Sequence, residues 1–314
     1  ISLPDQPDLI PYRTSYYRET WGFCLPHRQL EALPEGEYEV FIDSNLAPGH
    51  LTYGEHVIPG ASDEEILVTA HVCHPSLAND NLSGIGLLTM LAAELAKIEH
   101  RYTYRFLLIP GTIGSITWLS RNEDRVDRIR HGLVLSCLGD GGGPTYKASR
   151  RGDAAVDRAA RHVLGTHFEA PRLEEFSPYG YDERQFCSPG FNLPVGLLER
   201  SKYGEFPEYH TSADNLDFIS PVHLDESFRM IVHILDVLEN DRTCVSLSPK
   251  CEPQLGKRGL YQAIGGDKDA ARKQMAMLWA LNLAYGEHSV LDMAERAGIP
   301  FAIMSDTCAI LEAS

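Results

Sequence analysis

The residue types best suited to chemistry stand in two runs. The first is His71-Val72-Cys73-His74-Pro75-Ser76-Leu77-Ala78-Asn79-Asp80-Asn81-Leu82-Ser83-Gly84, placed after a short apolar run and before a helical pattern. Imidazoles and a carboxylate brought into one crevice form the donor set that zinc prefers. The second run is Tyr209-His210-Thr211-Ser212-Ala213-Asp214-Asn215, in a loop before another helix. A single histidine there means little, and its weight comes from pairing with the first run. A plainer account has Asp80 or Asn81 capping the helix, because a carboxylate at a helix start satisfies free N–H groups. Capping does not account for two imidazoles at a strand end. His27, His50, His56 and His74 read as turn or loop histidines, with His74 becoming a ligand only if its loop curls back. Ser83 sits in no Gly-x-Ser-x-Gly elbow, so a serine nucleophile is a distant alternative.

The elements around these runs alternate. Ile66-Leu67-Val68-Thr69-Ala70, Phe106-Leu107-Leu108-Ile109, Leu133-Val134-Leu135 and Val195-Gly196-Leu197-Leu198 are short apolar runs of the kind buried in parallel sheets. Leu82 to Lys97, Ala154 to Leu164 and His223 to Leu238 carry helical periodicity. Strands alternating with helices predict an α/β fold with a mostly parallel sheet covered on both faces. In such sheets ligands bind beyond the carboxyl ends of the strands, where the His71–Gly84 run lies. Residues 1–62 are rich in Tyr, Pro and Gly and read as a small β-rich unit, with Tyr38 to Ile42 as one alternating stretch. The α/β domain is expected over 63–246. Three short helices over 272–283, 289–298 and 299–311 make 247–314 a winged-helix-like module.

Composition narrows the partners. The 314 residues carry 28 basic and 44 acidic side chains, a formal charge of -16. Nucleic acids and anionic membranes reward clustered Lys and Arg, so neither is expected as a partner. The C-terminal module reads as a packing or dimerisation appendage, which allows a homo-oligomer. No window has the roughly 18 apolar residues of a membrane span, and the opening Ile1-Ser2-Leu3-Pro4 shows no signal peptide. Seven scattered cysteines without a Cys-x-x-Cys pair fit reduced thiols in a cytoplasm.

The two runs together resemble the co-catalytic zinc aminopeptidase family, which includes secreted bacterial leucyl aminopeptidases and, as a relative, glutaminyl cyclase. His71-Val72-Cys73, Asn79-Asp80-Asn81-Leu82-Ser83-Gly84 and Tyr209-His210-Thr211-Ser212-Ala213-Asp214 carry the resemblance, with Tyr181-Asp182-Glu183-Arg184-Gln185-Phe186 as a further segment. It extends over about residues 63–245. Trp21-Gly22-Phe23-Cys24 and the C-terminal helices narrow it to an aminopeptidase-like subgroup with an inserted small β domain and a winged helix. The resemblance implies one or two zinc ions, with His71 a terminal ligand, Asp80 the carboxylate that bridges two metals, and His210 a ligand from the other side. It makes Tyr209 the hydroxyl that steadies a tetrahedral intermediate.

Departures from the family pattern are specific. Where the family carries Glu-Glu, as base and ligand, this chain has Gly111-Thr112, and Cys73 replaces the aspartate that orients the first histidine. The next strand ends in Cys137-Leu138-Gly139-Asp140 instead of a ligand aspartate. Glu183 and Asp140 are the candidates for the missing base, and Asp140 or Cys137 for the missing ligand. The expected activity is zinc-dependent hydrolysis of an amide or peptide bond in a small molecule or peptide. The alternative is a binding or regulatory protein that keeps the metal pocket without turnover.

Overall fold

In the computed structural model, residues 1–15, 18–45, 47–260 and 268–313 are described. Seven strands form the main sheet: β1 (Gly54–Ile58), β2 (Glu65–His71), β3 (Thr103–Ile109), β4 (Ile129–Leu135), β5 (Thr145–Lys147), β6 (Arg172–Glu174) and β7 (Val195–Glu199). Their order is β1-β3-β2-β4-β7-β5-β6. The central strands β3, β2, β4 and β7 are parallel, β5 and β6 are parallel to each other, and β1–β3 and β5–β7 are antiparallel. The expected mostly parallel α/β sheet is therefore the observed one.

The apolar runs follow from burial on both faces. Ile66, Val68 and Ala70 of β2 pack in one cluster with Leu87, Leu91, Val156 and Ile231, from α2 (Gly84–Leu95), α4 (Ala155–His167) and α6 (Pro221–Asn240). Leu67 turns to the other face, among Leu107, Val134, Trp118 and Phe186. Trp118 belongs to α3 (Ile113–Arg121) and Phe186 to α5 (Glu183–Phe186). Between them the two faces cover the sheet, and the carboxyl ends of β2, β3 and β4 emerge on one edge.

Among the described residues 1–53, the elements are a five-residue helix α1 (His27–Glu31) and a single β-bridge between Pro11 and Thr211. Tyr38 to Ile42 carries no strand, and β1 pairs into the main sheet with β3. Beyond α6 come β8 (Thr243–Val245), α7 (Lys268–Leu283), β9 (Tyr285–Ser289), α8 (Val290–Ala297) and α9 (Phe301–Glu312). Ser289 caps α8 by accepting from the Asp292 N–H, and Gly298 ends it in the left-handed region at φ 62°. Met293, Phe301 and Met304 of this module belong to the same apolar cluster as Val156 and Ile231. No described helix is long and apolar enough to cross a membrane.

Candidate metal centre

The site is built where β2 stops. His71 is its last residue and is almost fully buried; Asp80 follows in an irregular turn, Ala78–Ser83, that leads into α2. His71 Nε2 lies 2.7 Å from Asp80 Oδ1, and His210 Nε2 lies 3.1 Å from Asp80 Oδ2. The loop after β2 does curl back: His74 Nδ1 stands 3.5 Å from Asp80 Oδ2 and 3.1 Å from the Asp80 carbonyl. His71, His74 and Asp80 place ligand atoms within 4.8 Å of one another, a spacing that one cation could share. Three imidazoles thus converge on one carboxylate, and His74 is the member that a loop reading missed. Its signal was the His-x-x-His spacing.

Asp80 is held from behind. Asp214 accepts from the backbone N–H of Asn79 at 2.5 Å and of Asp80 at 3.0 Å. Asn79 Nδ2 donates to Asp140 at 2.8 Å, and Asn79 Oδ1 accepts from Gly139 N–H at 2.8 Å. The Asp140 carboxylate also accepts from Ser201 Oγ at 2.6 Å and Gly142 N–H at 2.7 Å. Asp140 therefore anchors the neighbour of Asp80. Ser83 is likewise structural, donating to the Asn79 carbonyl at 2.7 Å and accepting from Leu138 N–H at 3.0 Å. Asn81 Nδ2 donates to the Leu135 carbonyl at 2.9 Å and faces His71 Nδ1 at 3.3 Å, fixing that ring from its outer edge.

Glu183 has a different environment. It is fully buried, paired with Lys147 Nζ at 2.8 Å, and its other oxygen accepts from Tyr181 N–H at 2.9 Å. The salt bridge forms with Lys147 and not with the adjacent Arg184. Cys137 is fully buried, and burial pushes its thiol well above the ordinary value, so it stays protonated. Burial alone would raise the Asp80 carboxyl, but hydrogen bonds from His210 and His71 and the nearby imidazoles hold it well below the ordinary range. Burial lowers His74, which keeps its ring neutral and able to ligate.

Tyrosines flank every imidazole. Tyr181 packs its ring 4.1 Å from that of His71, and Tyr209 lies nearly parallel to His210 at 4.0 Å. Tyr12 meets His74 edge-on at 4.6 Å and His210 at 5.6 Å. Tyr12 arrives because its N–H donates to the His210 carbonyl at 2.7 Å and Ser212 N–H donates to the Ile10 carbonyl at 2.8 Å. An irregular N-terminal segment offers no periodicity from which this could be read.

Of the five described non-glycine residues at positive φ, three lie around this cluster and two, Asn192 and Cys251, lie elsewhere. Thr112, Cys137 and His210 have φ of 64°, 49° and 54°. Left-handed conformations are unusual for such residues, above all for β-branched Thr, and they concentrate at functional sites. Thr112 and Cys137 follow the ends of β3 and β4, and the turn at His210 aims its ring at Asp80.

A family profile described as "Domain of unknown function (DUF4910)" matches residues 7–241. The chain belongs to the DUF4910 family. A winged helix-turn-helix profile matches residues 242–314. A Clostridium acetobutylicum protein, provisionally named a polysaccharide biosynthesis protein with aminopeptidase-like domain, is 50% identical over 300 residues, spanning 96% of this chain and 69% of that protein. A crystal structure from C. acetobutylicum, provisionally named a peptidase, matches with a TM-score of 0.93 at 46% identity, over 100% of this chain and 71% of that one. An aminopeptidase from Aneurinibacillus sp. strain AM-1 (TM-score 0.51, 20% identity, 58% of this chain and 46% of that one) shares the fold alone. The zinc aminopeptidase BSAP from Bacillus subtilis (TM-score 0.51, 20% identity, 60% and 49%) does the same. This DUF4910 chain is thus an aminopeptidase-like α/β domain followed by a winged helix.

Proposed function

We propose that this protein is a zinc-dependent hydrolase that cleaves an amide or peptide bond of a small substrate. The observation that carries this reading is the convergence of His71, His74 and His210 on Asp80. The donor set fits zinc in chemistry and spacing: imidazoles plus a carboxylate, with the ligand atoms of His71, His74 and Asp80 all within 4.8 Å of one another. A zinc ion held there supplies an acidified water and a Lewis acid for the substrate carbonyl. The chain's own residues do the rest. Asn81 orients His71, Asp214 and Asn79 hold the Asp80 backbone, and Tyr209 and Tyr12 brace His210. The provisional name of the Clostridium relative brings a carbohydrate-linked amide into the substrate range.

Metal analysis of the untreated protein tests the reading. Near-stoichiometric zinc, removed by His210→Ala, is the expected result, and protein free of metal after purification in zinc-containing buffer would sink it. A second reading, a binding protein without turnover, is favoured by one observation: the carboxylates of Asp140 and Glu183 are both engaged, so neither stands ready as a base. Zinc uptake without turnover of any amide would select that reading.

A further inference from the structure

A second polar cavity opens between α5 and the loop after β5, and none of its lining residues belongs to the histidine–Asp80 cluster. Its volume is about 210 Å³, and Arg150, Arg184, Gln185 and Ser188 line it, with Phe176 and Pro189 as apolar walls. No acidic side chain takes part in the lining. The chain has 44 acidic against 28 basic side chains, so carboxylates are plentiful. Yet among the described residues none lies within ion-pair distance of Arg150, Arg184 or the adjacent Arg151. Glu183, next to Arg184, pairs with Lys147 at 2.8 Å, and Glu175, next to Phe176, pairs with Arg161 at 3.0 Å.

Neutral groups hold these arginines in place. Arg150 N–H donates to Cys187 Sγ at 3.4 Å and Arg150 Nη1 to Asn192 Oδ1 at 3.3 Å, while Arg151 Nε donates to the Asn192 carbonyl at 2.9 Å. Such acceptors fix the guanidinium groups without cancelling their charge, which is permanent. Arg184 Nε is buried and has no acceptor at all. A buried donor in that state has lost its water without gaining a bond, and an unseen ion is one of the few explanations for it. The cavity lined by Arg172, Arg200 and Lys202 is different in kind. There Arg172 and Lys202 pair with Glu174 and Glu205, and Arg200 with Glu226, so the charge is already balanced.

We propose that the Arg150–Arg184 cavity binds a small phosphate-bearing ligand, with Ser188 as a further donor. Two guanidinium groups match the charge of a phosphate dianion and offer paired N–H groups to its oxygens. The volume falls below the roughly 300–1,000 Å³ of drug-sized sites, which limits the ligand to the free ion or a short monoester. Phe176 and Pro189 favour the ester, because they give its organic part an apolar surface to cover. The site makes no use of the metal centre, so it stands whether or not the protein hydrolyses amides.

Titration calorimetry of the full chain with inorganic phosphate, phenyl phosphate and acetate tests this. Saturable phosphate binding is expected, and Arg150→Gln and Arg184→Gln should each weaken it by about tenfold or more. Arg229→Gln removes an equal charge from an exposed position on α6, which packs on the other face of the sheet, and should leave binding unchanged. Tighter binding of phenyl phosphate assigns the site to a monoester and tighter binding of inorganic phosphate to the free ion, and either upholds the inference. No saturable phosphate binding, equal binding of acetate, or binding that survives both substitutions overturns it. Protection from phenylglyoxal reads the same contacts in the unsubstituted protein, so a variant that fails to fold leaves the test intact. Phosphate should shield Arg150 and Arg184 in the modified peptides, whereas phosphate bound at the metal centre instead would leave both reactive and count against the site.

Discussion

His210 Nε2 lies 3.1 Å from Asp80 Oδ2, although 130 positions separate the two residues in sequence, and His71 takes the other oxygen of the same carboxylate. One side chain thus ties the end of β2 to a loop that precedes α6. Asp80→Asn keeps the shape and removes the charge. Outer partners of metal ligands alone are worth roughly 10–100-fold in affinity, so this substitution is expected to weaken zinc binding by more than about 100-fold. A competition titration against a chromogenic chelator measures it. An unchanged affinity would mean that the carboxylate is not a ligand.

The support behind Asp80 makes its own prediction. Asp214 accepts two backbone N–H groups from Asn79 and Asp80, and both would be left buried and unsatisfied in Asp214→Ala. Each such donor costs about 1–3 kcal/mol, so the variant, with two of them, should lose about 2–6 kcal/mol in urea unfolding. It should also bind zinc more weakly, because the turn carrying Asp80 loses its anchor. Loss of stability with unaltered zinc affinity would separate the two functions.

Much of this was legible in the sequence, for a physical reason. Strands buried on both faces must be apolar throughout, so β2, β3, β4 and β7 announce themselves, and helices α2, α4 and α6 betray a 3.6-residue period. His71, Asp80 and His210 could be picked out because ligand chemistry needs their residue types. What could not be read depends on loop geometry. The curl that returns His74 to Asp80, the N-terminal segment that lays Tyr12 over two imidazoles, and the burial of Glu183 against Lys147 arise from tertiary contacts without local periodicity. Glu183 looked like a site residue because it neighbours Tyr181 and Asp182, which do line the region, but as the first residue of α5 it makes its ion pair with Lys147.

The Lys147–Glu183 pair is a test of that distinction. Both side chains are nearly inaccessible, at 3% and 0% exposure, so removing one charge strands the other. Breaking a buried pair from one side typically costs about 3–5 kcal/mol, and Lys147→Ala should lie in that range by chemical denaturation. Replacing both partners by Met and Leu should recover most of the loss. Zinc affinity should hold in the double variant, whereas a drop would place Glu183 in the metal centre after all.

Acid sensitivity should trace in part to His131, which lies on β4 near its start, away from the histidine–Asp80 cluster. Burial and, after it, the charge of Arg101 push its ring from 6.5 down to about 4. Its Nδ1 is buried without a partner, while Nε2 lies 3.4 Å from the Tyr102 hydroxyl. Between about pH 6.5 and about 4 the unfolded chain binds the proton and the folded one does not, so stability increases with pH across that window. The contribution is complete above the upper limit and lost as pH falls through the lower one. Its full size is about 3 kcal/mol, from 1.36 kcal/mol for each pKa unit. His131→Gln removes the titration while keeping a polar side chain. Stability profiles of the two proteins should run parallel above pH 7, and the wild type should lose about 3 kcal/mol relative to the variant by about pH 4. Carboxylates and the other buried histidines cancel in that difference, so parallel curves throughout the window would clear His131 of the role.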